Sequence, residues 1–302
     1  MSLISDRRIS ASFLKTWSSC PQKGYFRYVE GIADDESSGK QVFGTVMHLV
    51  LEEARELTTF KQAIQLFDYY WDDPGLIGEK IDYWHQGHSR EGLRKKAHKS
   101  LEMIWEMKSI TDSTTRDILA REHRFLVPMG GYTLTGVVDL VELAPGKKIK
   151  IVDYKSASRK PTKAELAFDI QFTTYDYASW SPHFWLGNPE DYDQFPPITD
   201  DKEWVDEVTT QYKRQLIWFH LMTGQEVGME ERGEKDYARL YYLIQQIDKA
   251  VQNESQVPDI SADTCRYCAY TDICPATKGF DEELEDAAFP TYAEKTPDKI
   301  EF

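Results

Sequence analysis

The sequence lacks several features that would define whole classes of protein. No apolar run approaches the length of a membrane-spanning helix, and no apolar signal segment follows the opening residues MSLISDRRIS. No GxxxxGK[ST] phosphate loop occurs, so the chain is not itself expected to be an ATP-driven motor. Internal repeats and low-complexity tracts are also missing, so the organisation must be inferred from periodicity and chain breakers. We therefore expect a soluble, cytoplasmic protein with no membrane attachment.

Positive charge is scarce as well. The 36 Lys and Arg residues face 51 Asp and Glu residues, which leaves a formal net charge of -15 over 302 residues. A surface that coats nucleic acid indiscriminately must be basic, so this balance argues against that class of protein. It does not exclude a site that gathers carboxylates around a divalent metal ion, because such a site is itself acidic.

Cysteine is rare, and its spacing is informative. Cys20 stands alone near the start, while Cys265, Cys268 and Cys274 form a C-x2-C-x5-C pattern near the end. Disulfides are not expected in a reducing compartment. Structural zinc sites usually draw their ligands as two close pairs, whereas iron-sulfur clusters accept a three-plus-one set, and Pro275 follows the last cysteine as in many cluster loops. The spacing favours a 4Fe-4S cluster, with zinc and unligated core cysteines as the alternatives.

Periodicity divides the chain into a helical part and a part that contains strands. Residues 10–120 are predicted to be mostly helical, residues 121–155 to form strands, and residues 162–180 and 233–253 to form helices. Residues 181–203 are rich in Pro, Asp and Trp and are predicted to be an insertion or long loop. The stretch after it, through Gly224, is predicted to form a strand pair.

Two carboxylates lie in short β-branched runs on either side of a turn. Asp139 lies seven residues before Gly146 and Asp153 seven residues after it, so a hairpin centred on Gly146 places them opposite each other. Lys155 lies two residues beyond Asp153 and shares its face. Opposed carboxylates destabilise a sheet unless a cation neutralises them, which predicts a divalent metal ion here, although solvated surface aspartates are the plainer alternative.

Two helical segments add further candidate residues. Thr162 and Glu165 have the spacing of a capping box, so a helix should begin there and place Gln171 and Tyr175 on one face. His48 lies in an apolar helical stretch, where a histidine is more often a satisfied core residue. Beside a dicarboxylate site it becomes a candidate metal ligand.

In order, these motifs resemble the RecB-like branch of the PD-(D/E)xK nuclease superfamily. The matching positions, from His48 to Tyr175, are His48, Gly136-x-x-Asp139, Asp153-x-Lys155 and Gln171-x3-Tyr175. The cysteine pattern, and the segment from Ile9 to Tyr28, are similar to the iron-sulfur members, which include AddB-type helicase-nuclease subunits and CRISPR-associated adaptation exonucleases. Val138 stands where the name-giving proline would be, and the insertion after Trp180 has no counterpart in the pattern.

The resemblance implies an α/β fold with a restriction-endonuclease-like mixed central sheet flanked by helices. It implies a helical N-terminal part over 1–120 that carries Cys20 and His48, and a nuclease core over 121–255 with the insertion at about 181–203. An iron-sulfur segment over 256–280 and an acidic tail over 281–302 complete the expected organisation.

The resemblance also implies roles for single residues. Asp139, Asp153 and Lys155 would be catalytic, and Mg2+ or Mn2+ would be held by His48, Asp139, Asp153 and the carbonyl of Tyr154. Gln171 and Tyr175 would contact DNA, while Cys20, Cys265, Cys268 and Cys274 would hold the 4Fe-4S cluster.

The expected function is that of a metal-dependent DNA exonuclease, acting on single strands or ends in recombination, repair, phage replication or CRISPR adaptation. A protein partner from recombination or CRISPR adaptation is expected on the same basis. The alternative is a DNA-end-binding or scaffold module in which catalysis is secondary.

Overall fold

Six strands form one mixed sheet in the computed structural model, which describes residues 8–33, 39–55, 57–73, 75, 89–107, 117–157, 159–261, 265 and 268–276. The strands are β1 (Arg8–Ser10), β2 (Asp117–Met129), β3 (Tyr132–Ala144), β4 (Lys148–Lys155), β5 (Lys213–His220) and β6 (Gln225–Glu230). Helices pack on both faces of the sheet, so the predicted fold class is confirmed. The predicted acidic tail, residues 281–302, lies outside the described residues.

The helices begin and end largely where side chains can cap them. They are α1 (Ala11–Ser19), α2 (Pro21–Gly24), α3 (Gly39–Glu52), α4 (Phe60–Trp71), α5 (Arg90–Met107), α6 (Lys163–Ala167), α7 (Ile170–Ser179), α8 (Pro182–Leu186), α9 (Lys202–Gln211) and α10 (Glu234–Gln252). Ser10 caps α1, and the predicted Thr162–Glu165 capping box begins α6. Among the described helices, none is long and apolar enough to cross a membrane.

Two hydrophobic layers enclose the sheet. On one face, α1, α7, α9 and α10 contribute buried residues such as Leu14, Phe172 and Ile244. On the other face, α3, α4 and α5 contribute residues such as Val46 and Phe67. The central strands are therefore covered on both sides, and a charged side chain on them is costly unless it is paired or binds a cation.

Strand β3 has an unusual edge. Strand β2 runs antiparallel along its full length, but the opposite edge is shared: β1 pairs in parallel with Thr133–Thr135, and β4 pairs antiparallel with Leu140–Ala144. Between these two stretches, residues 136–139 have no strand partner on that side within the described chain. Asp139 lies in this opening.

The β3–β4 hairpin has the predicted register. Leu140 pairs with Val152 and Ala144 with Lys148, so the turn is centred on Gly146, whose φ of 80° suits glycine. Strand β4 then pairs in parallel with β5. The crossover between β4 and β5 contains α6 to α9, and it carries α7 back across the sheet to the open edge of β3.

Three sequence predictions were wrong in detail. The helix predicted over 162–180 is divided, because the chain turns at Phe168 and the Asp169 side chain caps a second helix by accepting the Phe172 N–H. The predicted loop at 181–203 contains α8, whose Phe184 and Trp185 are fully buried, and the predicted strand pair, β5–β6, begins only after α9. Aromatic side chains thus anchor this segment in the core.

Candidate active site

A histidine and two carboxylates converge at the open edge of β3. His48 from α3, Glu122 from β2 and Asp139 from β3 each offer a ligand atom, and these atoms all lie within 4.8 Å of one another. His48 Nδ1 lies 3.3 Å from Asp139 Oδ1 and 3.6 Å from Glu122 Oε1. No other group of three such residues in the described chain comes as close together.

Backbone geometry brings these side chains together. Arg121 pairs with Leu140 and His123 with Val138, so Glu122 stands beside Asp139 on the neighbouring strand. Glu122 has a φ of 45°, a left-handed conformation that is rare inside a strand and redirects the side chain. Its Oε1 atom is buried and accepts no hydrogen bond. A buried carboxylate oxygen of this kind is suited to a cation.

The two nitrogens of the His48 ring have different partners. Nε2 lies 3.2 Å from the carbonyl oxygen of Tyr154, and the N–H of the same Tyr154 donates to Asp139 Oδ2. Burial lowers the pKa of His48, but the hydrogen bond to Asp139 and the charges of Asp139 and Glu122 outweigh it and raise the pKa to about 10. The two carboxylates thus favour a positive charge at this position.

A second cluster lies beside the first, around Asp153 at the end of β4. Lys155 Nζ lies 2.7 Å from Asp153 Oδ2, and Gln171 Nε2 donates to Asp153 Oδ1 at 3.0 Å. Burial raises the pKa of Asp153, while the Lys155 ammonium opposes this effect and the Asp139 carboxylate adds to it. Burial lowers the pKa of Lys155, but the Asp153 carboxylate outweighs it and raises that pKa. The pair is thus a half-buried lysine whose ammonium is held against a buried carboxylate.

Hydrogen bonds from two other elements fix the Gln171 amide. Lys15 Nζ on α1 donates to Gln171 Oε1 at 3.0 Å and also contacts Asp169 Oδ2 at 3.0 Å. The amide nitrogen then faces Asp153 and the Tyr175 hydroxyl, which lies 2.7 Å away. Tyr175 in turn donates to the carbonyl of Val137, in the unpaired stretch of β3. The side chains of α7 therefore replace the missing strand partner.

The family assignment follows from a match over most of the chain. The sequence profile of the PD-(D/E)XK nuclease superfamily matches residues 8–275. The chain belongs to this superfamily. The order of strands and the acidic residues at the open edge of β3 agree with that membership.

Two solved structures resemble this superfamily member in fold. The crystal structure of SSO0001 is 12% identical, with a TM-score of 0.40, over 90% of this chain and 87% of that chain. A protein from Eubacterium rectale, named as a predicted exonuclease, is 11% identical, with a TM-score of 0.47, over 93% of this chain and 94% of that chain. No curated protein matches the sequence.

As a PD-(D/E)XK superfamily member, the chain is a nuclease, and nucleases of this superfamily use divalent metal ions. Sequence reasoning placed His48, Asp139 and the Tyr154 carbonyl together, and they lie together in the structure. It placed Asp153 among the metal ligands, but the Asp153 carboxylate contacts Lys155 and Gln171 and lies outside the group within 4.8 Å.

Sequence reasoning missed Glu122 and Lys15. Glu122 lies at the start of a strand-like run, and no sequence motif assigns it a role. The signal that could have found it is an acidic residue in a run that must pair with the strand of Asp139. Lys15 carries no comparable signal, because its contact with Gln171 joins elements separated by more than 150 residues.

The four thiols of this nuclease line one cavity of about 170 Å3, where the two ends of the described chain meet. None of the four forms a disulfide within the described residues. The N–H of Asp259 approaches Cys20 Sγ at 3.4 Å, and Tyr270 donates to the carbonyl of Ile32 at 3.0 Å. Burial, together with the other three thiols, raises the pKa of Cys265. No three of the sulfur atoms lie within 4.8 Å of one another.

Proposed function

We propose that this superfamily member is a metal-dependent DNA exonuclease that hydrolyses phosphodiester bonds on single strands or at DNA ends. The observation that carries the proposal is the adjacency of two clusters, His48–Glu122–Asp139 and Asp153–Lys155, which Tyr154 links because its N–H donates to Asp139. A cation site beside the Lys155 ammonium can neutralise one phosphate from two directions. The pathway, whether recombination, repair, phage replication or CRISPR adaptation, and any protein partner stay predictions from the resemblance.

The donor atoms fit Mg2+ or Mn2+. Oxygen ligands are available from Glu122, Asp139 and the Tyr154 carbonyl, and His48 supplies an imidazole that Mn2+ also accepts. Asp153 is proposed as a further ligand, which requires its carboxylate to turn from Lys155. A bound divalent cation supplies Lewis-acid charge to a phosphoryl oxygen and acidifies water.

The residues of the chain provide the remaining steps. In hydrolysis, a water oxygen bonds to phosphorus and releases one proton to solvent, one P–O ester bond breaks, and the leaving oxygen takes a proton from solvent. The Lys155 ammonium lies 2.7 Å from the buried Asp153 carboxylate and would donate to the phosphate oxygens as their negative charge increases. Gln171 and Tyr175 line the adjoining surface and would contact the strand next to the reacting phosphate.

Cleavage of end-labelled DNA tests the proposal directly. Wild-type protein is incubated with single- and double-stranded substrates and Mg2+, Mn2+ or EDTA. We expect cleavage that requires metal and is lost at least about 1000-fold in Lys155→Ala, while Lys148→Ala, at the exposed start of the same strand, retains activity. Equal cutting by wild type and Lys155→Ala, or no cutting by either, would contradict the nuclease proposal. The alternative of a DNA-end-binding or scaffold module would then stand.

A covalently closed substrate tests the exonuclease assignment separately. Circular single-stranded DNA has no end, so an exonuclease leaves it intact while it degrades the same sequence after linearisation. Equal degradation of circular and linear forms would show an endonuclease and would leave the metal-dependent mechanism untouched.

We further propose that the thiol cavity holds a 4Fe-4S cluster on Cys20, Cys265, Cys268 and Cys274. A single zinc ion would require its thiolates about 3.8 Å apart, whereas a cluster binds each thiolate through a different iron and accepts a wider spacing. The four thiols line one cavity of about 170 Å3, as the ligands of a single cluster must. When bound, the cluster would join the two ends of the described chain.

Metal analysis of anaerobically purified protein tests this second proposal. We expect about four iron and four sulfide per chain, with a brown colour, and we expect Cys20→Ala to unfold or aggregate. Stoichiometric zinc in a colourless wild type, or a stable, colourless and fully folded Cys20→Ala variant, would contradict it.

A further inference from the structure

A cleft of about 460 Å3 adjoins the candidate active site. Gln171 and Tyr175 line it, and Gln171 also donates to Asp153, so the cleft and the site are continuous. The opposite wall includes Gln194 and Phe195, which belong to the insertion that the superfamily pattern did not account for. The volume is in the range of about 300–1000 Å3 that accommodates one small molecule.

The part of the insertion that walls the cleft, residues 187–198, is here called the strap. It leaves and returns at one point, because the N–H of Ile198 donates to the carbonyl of Trp185 at 2.8 Å. Arg8 holds its middle: the guanidinium donates to Gln194 at 3.1 Å and to Asp191 at 3.2 Å, and lies 4.9 Å from the Phe195 ring centroid. These contacts fix the strap in place, and the Phe195 side chain on it is buried.

The charge of the cleft is opposite to that of the whole chain. Arg124 is exposed in the cleft, and its guanidinium makes no ion pair or hydrogen bond within the described residues. Ser10, Ser12 and Thr135 lie on the same lining, and no Asp or Glu residue does. In a protein with a net charge of -15, a guanidinium without a partner in a cleft free of carboxylates marks a place for an anion.

We propose that this cleft binds one nucleotide of a DNA single strand next to the scissile bond, and that Arg124 pairs with its phosphate. This inference rests on the proposed function, because the neighbouring site supplies the identity of the ligand. The strap limits the cleft to one nucleotide unit, so an unpaired strand enters it and a duplex does not. The strap and Arg124 thereby determine the preference for single strands.

Fluorescence anisotropy with a labelled single-stranded oligonucleotide in EDTA measures binding without cleavage. Compared with wild type, Arg124→Ala should bind about 10-fold more weakly and should reduce the slope of log K against log salt by about 0.7, the value for one phosphate contact on a single strand. The control is Arg239→Ala, which removes the same charge from an exposed intrahelical ion pair on α10. We expect that control to match wild type.

Two further experiments identify the ligand and distinguish failure of this inference from failure of the proposed nuclease activity. A free deoxynucleoside monophosphate should displace the oligonucleotide only at concentrations at least 100-fold above those of an unlabelled strand. Equal displacement, or an unchanged affinity and salt slope in Arg124→Ala, overturns the inference. If wild type cuts DNA and Arg124→Ala cuts with the same KM, the inference fails while the proposed nuclease stands. If wild type does not cut DNA but binding depends on Arg124, the proposed nuclease fails while the binding role of Arg124 stands.

Discussion

Glu122 shows how one carboxylate can be placed by strand pairing alone. It lies beside Asp139 on the neighbouring strand, and its Oε1 atom is buried without a hydrogen bond. Within the described chain, its ion-pair partner is His48, at 3.6 Å. A carboxylate in this position is stabilised when a divalent cation joins the group.

We therefore expect Glu122→Gln to weaken metal binding. The amide keeps the size of the side chain but removes its charge, so the Mn2+ concentration for half-maximal cleavage should rise at least about 10-fold. Direct Mn2+ titration by calorimetry should show the same shift. Glu52→Gln, an exposed glutamate one turn after His48, is the control and should leave both values unchanged. An unaltered Mn2+ requirement in Glu122→Gln would contradict this role.

Lys15 acts on the site through another residue. It donates to Gln171 Oε1, and so leaves the amide nitrogen to face Asp153. In Lys15→Met the amide could rotate, and a carbonyl oxygen facing Asp153 would repel the carboxylate.

For Lys15→Met we expect kcat to fall about 10-fold while KM for DNA changes little, because the contact orders the reacting cluster. Lys15→Arg should recover most of the activity, since a guanidinium can donate to the same oxygen. Steady-state kinetics on a labelled strand measures both constants. A change confined to KM would instead indicate that Lys15 binds DNA, and Lys61→Met, on the exposed face of α4, serves as the control.

At the scale of elements, the contact between β3 and α7 depends on the lack of a side chain at Gly136. A Cβ there would lie 2.7 Å from Phe125 Cζ and 3.2 Å from Tyr175 Cε1. Both rings are buried and pack edge to face at 5.9 Å, so neither can move freely. The helix that carries Gln171 and Tyr175 can approach the open edge of β3 only because this position is glycine.

Gly136→Ala should therefore destabilise the fold by about 1–3 kcal/mol, the range for overpacking a core. Urea denaturation compares it with Gly228→Ala on β6, where an added Cβ would meet side chains at 3.4 and 3.5 Å, which is ordinary contact. The Gly228 variant should lose less stability. Equal losses would mean that the Phe125–Tyr175 contact adapts without cost.

The elements that the sequence could predict are those specified by local chemistry. The hairpin register follows from the turn at Gly146 and from alternation along each strand, and the start of α6 follows from the Thr162 capping box. The break before α7 was missed because the competing cap, Asp169, lies inside an otherwise helical pattern. The role of Glu122 was missed because strand pairing and a left-handed backbone, neither of which has a local signature, decide where it points.

At the scale of the whole molecule, a buried carboxyl joins three separate segments. Asp176 on α7 accepts from the Arg232 N–H and from the Tyr237 hydroxyl on α10, while its Oδ1 atom is buried without a hydrogen bond. Burial raises the pKa of Asp176 to about 6, although Tyr237 and the two nearby arginines, Arg214 and Arg232, oppose this. The folded protein therefore holds this proton more tightly than the unfolded chain does.

The raised pKa predicts how stability depends on pH. The folded state binds the extra proton between the unfolded value of 3.8 and the folded value of about 6, so Asp176 makes stability fall as pH rises through that window. Asp176→Asn removes the titration. Its free energy of unfolding relative to wild type should improve by on the order of 2–3 kcal/mol from about pH 4 to pH 7. Urea denaturation at several pH values measures this, and a constant difference would contradict the prediction.

The short helix α1 connects three sites of the molecule. Its cap, Ser10, lines the cleft, Lys15 contacts the catalytic amide, and Cys20 at its end faces the thiol cavity. Each residue added to a helix rotates the next part of the chain by about 100° and advances it by about 1.5 Å. A one-residue insertion or deletion within α1 would therefore displace the α1 residues of two of the three sites at once. A substitution would affect only the site that the substituted side chain contacts. Related chains built in this way should tolerate changes of sequence along this helix, but not changes in its length.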